Sequence, residues 1–140
     1  MILDHVGIAV HSVEKAALRW EVLGYRPSAP AVVNELQRAK VQLLAKAGSL
    51  PVKLMEPTDP SSPLRGLAQR GGGLHHLCFR CESLDAEVAR LQAAGLRLLA
   101  PPQPGEAFRD ARIAFFYVGD GLTIELLEAG AGAGTAPADP

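Results

Sequence analysis

"LDHVGIAVHSVEKAALRWEVLGYR" (residues 3–26) and "LHHLCFRCESLDAEVARLQAAGLR" (residues 74–97) align without a gap, 71 positions apart. Leu3 falls on Leu74, His5 on His76, Ser12 on Ser83, Arg19 on Arg90, Gly24 on Gly95 and Arg26 on Arg97. Each copy reads as strand, helix, strand. Ser12 and Ser83 stand where an N-cap accepts a backbone N–H of the first turn. Apolar residues then recur at helical spacing, and Gly24 and Gly95 stand where a helix ends in a left-handed residue.

The repeat continues at an offset of 72. "AKVQLL" (39–44) lies over "ARIAFF" (111–116), and "VKLMEP" (52–57) over "IELLEA" (124–129). Each half is therefore a βαβββ unit. The expected fold is α+β: two tandem βαβββ modules forming a curved mixed-sheet, barrel-like cleft with helices outside. The modules cover about 1–57 and 73–128. A linker at 58–72 holds a short helix near Pro63 to Gln69, and a flexible low-complexity tail runs from 129 to 140.

Composition narrows the function classes. With 48% apolar and 21% charged residues, the chain has the balance of a domain that buries a core in water. A net charge of −1 removes the electrostatic case for nucleic acid or anionic membrane. No run approaches the roughly 20 apolar residues of a membrane helix. The N-terminus reads as a first strand rather than a signal peptide, so a cytoplasmic location is expected by default. Cys78 and Cys81 have the spacing of a zinc or redox pair. A second pair of soft ligands is missing, however, and residues three apart on a strand face opposite sides.

Strand alternation sorts the polar residues. Val6 and Ile8 share the helix-facing side of the first strand, which sends His5 the other way. Leu77 and Phe79 do the same for His76, with Cys78 and Arg80 beside it. Alternation then assigns Gln42 and Leu44, Lys53 and Met55, Ala114 and Phe116, and Glu125 and Leu127 to the same concave face. Two histidines and a carboxylate on neighbouring strands, His5, His76 and Glu125, have the makings of a divalent metal site for cobalt, zinc, manganese, nickel or iron. Lys40 and Arg112 occupy equivalent strand positions and read as surface charge beside the pocket mouth.

The stretches "LDHVGIAV", "LGY", "GGLHHLCF", "ARIAFFYV" and "TIELLE" resemble the vicinal oxygen chelate superfamily (glyoxalase and bleomycin-resistance proteins), and within it the methylmalonyl-CoA epimerase-like branch. The resemblance spans residues 2 to about 128. It implies a metal held at the positions of His5, Lys53, His76 and Glu125. Lys53 departs from it, because an ammonium cannot coordinate a metal. Gln42 departs too, where the resemblance calls for an acid–base carboxylate. It further implies metal-dependent enolisation of a small carbonyl or acyl-thioester compound, by an epimerase, isomerase or lyase, in a homodimer. Glu125, Lys53 and Gln42 are then the candidate catalytic residues. Leu44, Met55, Cys78, Arg80, Phe116 and Leu127 are the candidate substrate contacts. The alternatives of the same fold are a metal-free, drug-sequestering binding protein and a metal-free natural-product cyclase or isomerase.

Overall fold

The computed structural model describes residues 1–35, 37–105 and 111–129. These form two compact units, His5–His75 and Met1–Asp4 together with the chain from His76 onward. In chain order the first module holds β1 (Ile2–Ala9, its first residues counting with the second unit), α1 (Val13–Val22), β2 (Arg26–Pro27), β3 (Val32–Asn34), β4 (Ala39–Ala45), β5 (Val52–Pro57) and α2 (Arg65–Gln69). The second holds β6 (Gly73–Cys81), α3 (Leu84–Ala93), β7 (Arg97–Pro104), β8 (Arg112–Gly119) and β9 (Leu122–Glu128). The linker helix is thus α2, two residues shorter at its start than the sequence reading. Of the tail expected to be flexible, only Ala129 lies among the described residues.

The two modules share one topology. In the first the strand order is β2-β4-β5-β1, with β3 also on β4; in the second it is β6-β9-β8-β7. The first strand of each pairs in parallel with the last, β1 with β5 and β6 with β9. The remaining pairs are antiparallel. Prolines account for the irregular second strand. Pro27 and Pro30 lack the N–H a ladder needs, so the first module splits this strand into β2 and β3 along β4. In the second module Pro101 and Pro102 fall within β7, whose pairing with β8 slips twice.

The caps follow the reading. Ser12 Oγ accepts from Lys15 N at 3.2 Å, and Ser83 Oγ from Ala86 N at 3.3 Å. Gly24 and Gly95 have φ of 95° and 92°, the left-handed conformation that closes a helix. Each helix covers one face of its own sheet. Val13, Ala16 and Ala17 of α1 pack with Leu44, Val52 and Leu54. Leu84, Val88 and Leu91 of α3 pack with Ala114, Phe116, Ile124 and Leu126. No helix among the described residues is long and apolar enough to cross a membrane.

Lys40 and Arg112 are not at a pocket mouth. Both lie on the helix-facing side and tie the sheet to the helix's first turn. Arg112 binds Glu128 through Nε and an Nη, both at 3.0 Å, and Asp85 at 3.1 and 3.2 Å. Glu128 also accepts the backbone N–H of Leu84 at 3.1 Å. Lys40 pairs with Glu14, the repeat partner of Asp85. Arg112, and after it the Leu84 N–H, hold the Glu128 carboxyl below its ordinary range. A depressed carboxyl contributes stability above its unfolded pKa of about 4.3, and that contribution is lost as pH falls through the lower folded value. Arg112→Gln is therefore expected to lower the urea midpoint at pH 7, with the gap from wild type closing below about pH 4. A gap that persists unchanged at pH 2.5 would show that the clamp acts through packing rather than charge.

Candidate active site

Register, rather than strand alternation alone, determines which side chains share the face away from each helix. Residues paired across a ladder point to the same side. In the second module Cys78 pairs with Glu125, Arg80 with Leu127, Ile113 with Leu127 and Phe115 with Glu125. His76, two residues before Cys78, belongs to this face. His76 Nε2 and Glu125 Oε2 are 3.0 Å apart, with the side chains 0% and 1% exposed. The His76 and Phe115 rings stand edge to face, with centroids 6.3 Å apart and planes at 88°. Cys78, Ile113 and Leu127 make the apolar floor beside them. Cys81 lies on the opposite, helix-facing side, where burial raises its thiol pKa. The two cysteines therefore do not form a pair of ligands.

In the first module Lys53 pairs with Gly7 of β1 and with Leu43 of β4. His5, two residues before Gly7, lies on this face and is fully buried, and Lys53 is only 3% exposed. Met55 and Val41 pack on the same side with Ala39 and Leu64. The repeat thus holds in three dimensions. His5 and Lys53 stand in the first module as His76 and Glu125 stand in the second.

Four assignments, those of Gln42, Leu44, Ala114 and Phe116, are corrected; Ala114 pairs with Leu126 and packs in the α3 cluster. Gln42 pairs with Leu54 and Leu44 with Val52, which places both on the α1 side. Leu44 is part of that core, and Gln42 Nε2 donates to the Ala29 carbonyl at 3.2 Å. Phe116 pairs with Ile124 and is buried against α3. Val41, Leu43, Ile113 and Phe115 occupy the face instead. β8 is apolar on both sides, so alternation carries no phase there, while on β4 the polar Lys40 and Gln42 lie on the helix side, so alternation gives the opposite phase. The internal repeat then copies an error in one strand onto the other. On β8 a further cause is visible. Asp120 and Gly121 both have positive φ, as in the two-residue hairpin turn that Asp-Gly favours. That turn alone would set Phe116 opposite Glu125. A bulge between Tyr117 and Gly119, with Gly119 at φ 100°, shifts the ladder by one residue and turns Phe116 to the helix. Arg80, a candidate substrate contact, reaches Asp4 Oδ1 at 3.4 Å and is 34% exposed.

The donor set of the second module fits a divalent cation. An imidazole nitrogen and a carboxylate oxygen each about 2.1 Å from an ion, at a right angle, lie about 3 Å apart, which is the observed separation. The set of the first module fits only through His5. Lys53 offers three donors and no acceptor, and repels a cation.

Residues 4–115 match the model of the glyoxalase/bleomycin resistance protein/dioxygenase superfamily, and the chain belongs to that superfamily. Within it the chain is similar to epimerases of acyl-CoA thioesters. It is 30% identical to the ethylmalonyl-CoA/methylmalonyl-CoA epimerase of Cereibacter sphaeroides, over 89% of this chain and 95% of the other. The crystal structure of methylmalonyl-CoA epimerase from Mycobacterium tuberculosis superposes with a TM-score of 0.80 at 36% identity, over 91% of this chain and 87% of that one. A variant of the Streptomyces coelicolor methylmalonyl-CoA epimerase, solved with 2-nitronate-propionyl-CoA, superposes with a TM-score of 0.80 at 28% identity, over 96% and 99%.

Proposed function

We propose that this chain is an enolisation-type isomerase that epimerises an acyl-CoA thioester of the methylmalonyl class. The observation that carries this is the buried His76–Glu125 pair at 3.0 Å, in a chain similar over most of its length to such epimerases. The α-carbon of a thioester is a weak acid, so the reaction needs a base at the carbon and stabilisation of the charge left on the carbonyl oxygen. Glu125 is assigned as the base. Its carboxylate takes the α-proton and returns it, and epimerisation with this one base requires the planar enolate to turn its other face to Glu125 before the proton comes back. No second carboxylate is assigned, because Gln42 lies on the helix side. Cys78, Leu127 and Phe115 exclude water from the proton in transit.

His5, His76 and Glu125 are assigned as the residues that would hold a divalent cation, on the resemblance and on the repeat that relates His5 to His76. Such an ion supplies Lewis-acid stabilisation of enolate charge. The same resemblance assigns a homodimer, which sedimentation equilibrium reads directly.

The test is deuterium incorporation at the α-carbon of methylmalonyl-CoA in D2O, read by mass spectrometry, for protein stripped of metal and for protein supplied with cobalt, manganese or zinc. Exchange well above the no-protein rate is expected on metal addition. Lys53 favours a second reading, a metal-free small-molecule-binding protein. No exchange with any metal, together with tight binding of a small ligand by the stripped protein, would replace the first reading with the second.

A further inference from the structure

Glu125 stands in the middle of a row that crosses β6, β9 and β8. Its ladder neighbours are Cys78 on one side and Phe115 on the other. Phe115 thereby covers one flank of the carboxylate, and its ring stands at 88° to the imidazole of His76. The imidazole is held from two directions, by Glu125 Oε2 at Nε2 and by the phenyl ring. The second hold matters because χ2 of a histidine is a broad torsion, without the sharp wells of an aliphatic side chain. One hydrogen bond leaves the plane of such a ring loosely set. A perpendicular aromatic neighbour sets it, since aromatic pairs favour edge-to-face geometry over tilted alternatives. Proton transfer and metal binding both need their groups held within about 0.5 Å and 10–20°.

The internal repeat shows that the fold does not itself require this ring. The counterpart of Phe115, 72 positions earlier, is Leu43. Leu43 pairs with Lys53 as Phe115 pairs with Glu125. The same strand position takes leucine beside the ammonium and phenylalanine beside the carboxylate.

We infer that Phe115 is a positioning residue, whose ring fixes the plane of the His76 imidazole and so the direction in which Nε2 addresses Glu125. Resting on the epimerase reading for its chemistry, Phe115 acts on the reaction through His76. The geometry itself belongs to the protein without substrate or metal.

Carbon-13 relaxation of labelled histidine rings in the full chain, kept metal-free with chelator, tests this. The His76 signals are assigned by their loss in His76→Gln. The ring order parameter is expected to be near that of rigid backbone, about 0.85, in wild type and Phe115→Tyr, and to fall towards roughly 0.6 in Phe115→Leu. Cobalt titration followed by visible absorption gives a second reading. Phe115→Leu should weaken cobalt about 10-fold and shift its bands, while Phe115→Tyr stays within about 3-fold of wild type. Phe116→Leu is the control for packing, expected to lower the melting temperature and leave the His76 ring signals unchanged. A mobile His76 ring in wild type would overturn the inference without any variant. An unchanged ring in Phe115→Leu would overturn it as well, and so would equal loosening in Phe116→Leu. Absence of cobalt binding or of α-proton exchange in wild type would count against the epimerase reading, while the ring signals would still decide the role of Phe115.

Discussion

Glu125→Gln is expected to lower α-proton exchange by roughly 10²–10⁴-fold, the range of a lost general base. The amide has nearly the shape of the carboxylate and still meets His76 Nε2 at the observed 3.0 Å, but it cannot accept a proton at carbon. The fold should not suffer. Glu125 is 1% exposed, and replacing a buried charge by a neutral isostere removes desolvation cost rather than adding it. An unchanged melting temperature together with the lost exchange therefore marks a chemical role. His76→Ala separates the two tasks given to this pair, since it should abolish metal uptake, measured by mass spectrometry of the protein, whatever remains of exchange. Full exchange activity in Glu125→Gln would move the base to another residue.

Phe116→Ala is expected to produce the largest loss of stability, about 3–5 kcal/mol. Phe116 is fully buried in the α3 cluster with Leu84, Val88, Leu91 and Leu126. Truncation opens a cavity that neighbours on two strands and a helix cannot all close. At roughly 3–5 °C per kcal/mol for a domain of this size, the melting temperature should fall by about 10–20 °C. KM for the thioester should stay within about 2-fold of wild type. Phe115→Ala is the control on the adjacent residue. Phe115 pairs with Glu125 and meets the ring of His76, so its loss should move KM and exchange more than stability. The opposite pattern, with Phe116 governing KM, would place Phe116 rather than Phe115 on the face of Glu125.

The repeat by itself determined two βαβββ modules, because a gapless match of histidine, serine cap and glycine cap requires the same strand and helix in both halves. It also placed His5 and His76, and Lys53 and Glu125, in equivalent positions. β1, β5, β6 and β9 each carry an alternation clear enough to set their phase, and every site residue assigned on them lies on the expected face. Gln42, Leu44, Ala114 and Phe116 lie on the face opposite to the one alternation assigns, for a physical reason. On β4 the alternation points the wrong way, since the polar Lys40 and Gln42 lie on the α1 side with Leu44 while Val41 packs on the other side with Met55 and Leu64; on β8 both faces are apolar. What selects between them is the pairing of Leu44 with Val52 across one hairpin, and the bulge at Gly119 in the other. A one-residue slip reverses every side chain of a strand, and only the tertiary ladder records whether it occurs. The roles of Arg112 and Lys40 were hidden for a related reason. Charge on a strand reads as surface until the helix that approaches it is in place, and here each helix brings its carboxylate, Asp85 or Glu14, to the cation.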